Sequence, residues 1–191
     1  MQNIILSFTL LLAFFSTAFG QISEINNVQT PAHTVFVGTH IAMIKPDDTF
    51  KESNGMVGFT NQALDAAISV REGFAGFDST LSLLGKDLFK KEGLLLEKEL
   101  VMNGYRARLY KHKVLPNSFF TEKKDSMVYW SLLYGNERFS FFIIGVYPLA
   151  NEHLLSEKYE KSLLSFVLLE EVKTNPIERL NFTLDVSNSP L

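Results

Sequence analysis

The dipeptide Asn103-Gly104 constrains this chain more than any other pair of its residues, because it sits between two runs of strand-like sequence, 94–102 and 105–112. Both residues tolerate the positive φ of a type I′ turn, whose twist matches that of the strands it joins. The pair therefore predicts a β-hairpin. Two further hairpins are predicted the same way. Residues 127–134 and 138–147 flank Gly135-Asn136, and residues 57–61 and 66–72 flank a polar break that ends in Asp65. In the last of these runs Ala66, Ile68 and Val70 face one way and Ala67, Ser69 and Arg71 the other. Upstream, "HTVFVGTHIAMIKP" alternates around Ile41 and Met43, with Val35 and Val37 extending the pattern, and Pro46 stops the pairing.

Two stretches carry a helical period instead. After "GFAGF", Asp78 or Ser79 is the candidate cap, followed by Leu81, Leu84, Leu88 and Phe89 on one stripe, with Lys90, Lys91 and Gly93 as the stop. Pro148 leads into a second helix over residues 152–166, whose apolar face is Leu155, Tyr159, Leu163 and Phe166. The words "SFVLLEEV" either end that helix or begin another strand. Three hairpins and two single-striped helices predict an α+β fold, a mostly antiparallel sheet covered by helices on one or both faces.

The first 20 residues contain no charged side chain and run apolar from Ile4 to Phe15. That run is shorter than the about 20 apolar residues of a bilayer span, and small residues at Ala18 and Gly20 suit a signal-peptide cleavage site. The predicted organisation is a signal peptide at 1–20, a polar leader at 21–32, one domain at 33–172, and a C-terminal extension at 173–191 that reads as an extra strand. Retention of the first segment as an anchor is the alternative to cleavage. The chain is thus expected to be exported, periplasmic or secreted, with no stable membrane span once the signal is removed. Cysteine is absent, which removes disulfides, thiolate metal sites and a cysteine nucleophile together. The net charge of −3 carries no basic block, which argues against a nucleic-acid partner.

The order of these local words resembles the PsbP-like superfamily, and most closely its exported bacterial DcrB-like members. The resemblance rests on Gly58-Phe59-x-Asn61, Ala67-Ile68-Ser69-Val70-x-Glu72, Asn103-Gly104-x-x-Ala107-x-Leu109, Tyr129-Trp130-x-Leu132, Val146-Tyr147-Pro148 and Lys161-Ser162-Leu163-Leu164-Ser165. It implies an α/β/α sandwich and an accessory, binding or assembly role. It carries over no functional residue, because the matching words are core and turn positions.

The four histidines have no metal-ligand spacing, no serine stands in a nucleophile elbow, and Gly85-Lys86 lacks the rest of a phosphate loop. No metal, cofactor or enzymatic activity is expected; the pairings that would challenge this are His112 with Glu72 or with Glu97. Arg106, Arg108, Tyr110 and His112 alternate along one strand and so share a face that can meet an anionic ligand or an acidic patch, or else lie as an ordinary solvated or helix-covered face. Phe119-Phe120, in a long polar loop, either folds back onto the core or is shown to a partner. The functional expectation is a non-enzymatic envelope or secreted module acting through contact with an unknown protein. Its alternative is a small-ligand binder or carrier with an aromatic pocket between sheet and helix.

Overall fold

The computed structural model describes residues 22–73, 75–84, 93–114 and 126–169. The signal segment, Phe74, the second half of the first predicted helix, the Phe119-Phe120 loop and the C-terminal extension lie outside them.

All three predicted hairpins form: β5 (Gly58–Asn61) with β6 (Ala66–Glu72), β7 (Leu94–Met102) with β8 (Tyr105–Val114), and β9 (Met127–Gly135) with β10 (Ser140–Pro148). With β1 (Ser23–Ile25) and β4 (Lys51–Glu52) they make an eight-stranded sheet in the order β1-β7-β8-β9-β10-β6-β5-β4. Among the described strands of this sheet, only β1 runs parallel to its neighbour. At the β7–β8 turn Asn103 has φ 51° and Gly104 φ 77°, the pair of left-handed residues that the dipeptide predicts. A second, three-stranded sheet is built from β2 (His33–Val35), β3 (Ile41–Ile44) and β11 (Val167–Leu168) in the order β11-β3-β2.

Two α-helices are described. The first, α1 (Phe77–Leu84), starts one residue before Asp78, which therefore sits in the first turn and is not the cap. It is pinned to the β9–β10 hairpin: Phe77 N–H donates to Asn136 C=O at 2.7 Å, and the Thr80 and Ser140 hydroxyls meet at 2.9 Å. The second, α2 (Glu152–Leu164), buries Leu155, Tyr159 and Leu163 as its stripe predicts. Phe166 is buried just past its end, and "SFVLLEEV" resolves in favour of a strand, because Val167 and Leu168 pair with Ala42 and Ile41. This helix lies between the sheets. On one side the Ser162 hydroxyl donates to Ile44 C=O at 2.6 Å. On the other Tyr159 reaches the carbonyls of Ala67 and Val146 at 3.3 and 3.2 Å, its ring lying where a Cβ on Gly145 would fall 2.6 Å away.

The main core is the sheet face under α2, where Ile68, Leu109, Trp130, Leu132, Tyr134, Ile143 and Tyr147 are all essentially inaccessible. The opposite face is buried too at its centre, at Tyr110, Ser131 and Leu133. Accordingly β9 is buried at eight of its nine residues, which is the pattern of a strand covered on both sides.

Candidate functional site

The alternation in β8 does place Arg106, Arg108, Tyr110 and His112 on one face of the sheet, the face away from α2, but the four are not equally accessible. Tyr110 and His112 are buried, and the Arg108 side chain is nearly so. Arg108 is held by Glu97 and Glu99 of the neighbouring strand. Arg106 alone of the four keeps an exposed head; it pairs with Asp78 at 2.8 Å and lies 4.5 Å over the Phe77 ring. His112 stacks on Tyr129, with ring centroids 5.5 Å apart, and burial lowers its pKa to about 4. It does not meet Glu72, which pairs in register with Phe141 and so projects from the opposite face. Glu97, on the same face as His112, is engaged with Arg108.

A second polar cluster forms at the start of α2. Lys111 donates to Glu152 and, at 2.7 Å, to the Ser156 hydroxyl; the Tyr147 hydroxyl donates to Glu152 at 2.8 Å and itself accepts from Trp130 Nε1 at 3.0 Å. Burial works to raise the Glu152 pKa, but the hydrogen bonds from Lys111 and Tyr147 outweigh it and hold the carboxylate below its ordinary range. Every member has a partner, so the cluster reads as the clasp that ties the helix to the sheet. Among the described residues no group of three His, Asp or Glu side chains is placed to hold a metal ion. No helix among them is long and apolar enough to cross a membrane.

The third constellation was not foreseen in the sequence. Where the small sheet leans over the end of the main one, a cleft of about 730 Å³ opens between Asn27, Asn103, Tyr105, Tyr134, Phe139 and Leu168. The wall is assembled from four distant parts of the chain. The segment after β1 is stitched in by Asn103 N–H to Ile25 C=O at 2.8 Å, by Asn27 N–H to Asn103 Oδ1 at 2.6 Å, and by Asn27 Nδ2 to Leu164 C=O at 2.6 Å. Tyr105, Tyr134 and Phe139 form an aromatic cluster of edge-on and tilted pairs with centroids 5.3 to 6.4 Å apart, and Phe166 closes on Tyr134 at 4.9 Å.

Tyr134 stands apart in this wall. The residue is fully buried, yet its hydroxyl has no hydrogen-bond partner among the described residues. Burial, with Tyr105 close by, keeps that phenol protonated far above its ordinary pKa. A buried hydroxyl left unpaired costs about 1–3 kcal/mol. A second cleft of about 560 Å³ adjoins the first across His40 and Leu168, between residues 37–41 and the Val70, Glu72 and Phe141 side chains.

The chain matches no family model and no curated protein. Among solved structures it is similar to a crystal structure from Bacteroides thetaiotaomicron, with 15% identity and a TM-score of 0.45, over 71% of this chain and 48% of that one. It thus spans about half of that neighbour's length. It is also similar to LpqN, described as involved in cell envelope biogenesis of Mycobacterium tuberculosis, with 10% identity and a TM-score of 0.48, over 75% of this chain and 87% of that one.

Proposed function

We propose that the protein is an exported, non-enzymatic binding module whose contact site is the aromatic cleft between its two sheets. The observation that carries this reading is Tyr134, which lines a cleft large enough for a small molecule and whose buried hydroxyl has no partner among the described residues. Such a group is stabilised by whatever brings it a hydrogen bond. The signal-like first segment supports export, and the resemblance to the PsbP-like superfamily supports a binding role without catalysis. The pocket differs in place from the one expected, lying between sheet and sheet and not between sheet and helix. The test is a ligand-observed NMR screen of mixed small-molecule fragments against the protein and against a variant with the cleft filled, Leu168→Trp. Hits seen with the first and lost with the second support the reading; hits that survive the filling, or no hits at all, overturn it.

A second reading, contact with an envelope or secreted protein, is favoured by Arg106, whose side chain is more than half exposed beside Phe77. Cross-linking of the protein with its native extracellular or envelope fraction, repeated with Arg106→Glu, tests it. A neighbour recovered with the first and lost with the second supports this reading, and a neighbour retained equally by both removes that face from it.

A further inference from the structure

The proposal of a ligand cleft can be taken one step further, to the chemical class of the ligand, and this step rests on that proposal. Among the described residues lining the cleft there is no Asp, Glu, Lys or Arg; the polar groups are carboxamides, phenols and one imidazole. A charged ligand would be stripped of water with no counter-charge to meet it, which is costly. A purely apolar one would leave the Tyr134 hydroxyl unpaired. The carboxamides are already oriented. Asn27 spends its Nδ2 on the carbonyls of Leu164 and Phe166, and Asn103 spends its Oδ1 on Asn27 N–H, which leaves Asn103 Nδ2 as a donor at the rim. Beside these donors Tyr105 and Phe139 offer aromatic surface.

Together these features select a neutral ring that has hydroxyls on its edge and C–H groups on its face. We infer that the cleft binds an uncharged, hydroxyl-bearing ring compound of the pyranose type, with Tyr134 and Asn103 hydrogen-bonding its edge and Tyr105 or Phe139 lying against its face. Tyr134 is closed from solvent, so the ligand reaches its hydroxyl as the Tyr105 ring swings aside. Tyr105 is the less confined member of the pair: it is only partly buried and directly follows the Asn103-Gly104 turn, whereas Tyr134 sits in a strand buried on both sides.

The experiment is saturation-transfer NMR and calorimetric titration with the methyl glycosides of glucose, galactose, mannose and N-acetylglucosamine. Each is run on the wild type, on Tyr134→Phe and on Asn103→Ala, with glucuronate and cyclohexanol as charged and apolar counterparts. The expected result is binding of at least one neutral glycoside, weakened tenfold or more by Tyr134→Phe while that variant melts no lower than the wild type. A merely structural tyrosine would not give that split. Glucuronate or cyclohexanol binding in preference to all four glycosides, no glycoside binding at all, or affinity unchanged in Tyr134→Phe would each overturn the inference. If fragments bind and are displaced by filling the cleft while the glycosides fail, the class is wrong and the cleft stands; if both fail, the cleft falls with it.

Discussion

Acidification should destabilise this protein through the His112 imidazole at a pH where Asp47 does not yet contribute. His112 is about 6% exposed, flat against Tyr129 in the sheet's second apolar layer, and burial lowers its pKa from 6.5 to about 4. A histidine whose folded pKa lies below its unfolded one stabilises the fold fully above the unfolded value, and that contribution drains away as pH falls from 6.5 towards 4, where the unfolded chain takes up the proton that the folded one refuses. With those two values the loss relative to neutral pH is on the order of 1 kcal/mol at pH 5.5 and of 2–3 kcal/mol at pH 4.5, a large part of a typical domain's stability. Asp47 acts lower. Burial favours a raised pKa for Asp47, but bonds from Lys158 and Thr49 more than offset it and hold it down to about 2, so its contribution is lost only below its ordinary 3.8. Urea unfolding at pH 7.5, 6.5, 5.5 and 4.5, followed by Trp130 fluorescence, measures the slope directly. The same series on His112→Phe, which keeps an aromatic ring on Tyr129, should be much flatter. A wild-type stability constant across this range, or a variant with an undiminished slope, refutes the reasoning.

The remaining expectations are simpler to state. Gly145→Ala places a methyl 2.6 Å from the Tyr159 ring, which two hydrogen bonds and Tyr147 hold in place; overpacking of this kind costs about 1–3 kcal/mol, read as a lower urea midpoint. Arg106→Glu should leave stability within about 0.5 kcal/mol, since its pair with Asp78 is exposed. Arg108→Glu should cost about 1–3 kcal/mol, because it sets three carboxylates together under partial burial; equal midpoints for the two variants would contradict the unequal exposure of these arginines.

The elements that could be read in the sequence are those whose signal is local. Asn103-Gly104 needs nothing beyond its own backbone preference to announce a turn, and the i, i+4, i+8 spacing of Leu155, Tyr159 and Leu163 announces a buried stripe. The small sheet was half legible: "HTVFVGTHIAMI" alternates, but β11 is two residues long and takes its identity from β3. Residues 21–32 read as a polar leader, yet Ser23–Ile25 form a strand. Three residues carry no period, and their pairing with Leu100, Val101 and Met102 is decided by the open backbone of β7. The cleft was illegible for a related reason. Tyr134 and Tyr105 are strand-end aromatics like many others in the sequence, and only tertiary packing leaves one hydroxyl without a partner. The β8 face was found by alternation, but alternation reports direction and not cover, so it could not separate exposed Arg106 from buried His112.

The parallel strand β1 has a consequence for how the molecule is completed. It is the first described strand of the chain, yet the strand it joins is more than 70 residues downstream, and among the described residues that partner's outer edge has no other neighbour. Until those three residues arrive, the longest hairpin of the sheet presents a row of unpaired amides and carbonyls of the kind that recruits other chains. Pairing between distant segments carries a loop-closure cost and is slow to form. The leading segment therefore covers that edge, and an expression tag fused tightly at Ile22 should show as aggregation during refolding before it shows as a loss of final stability.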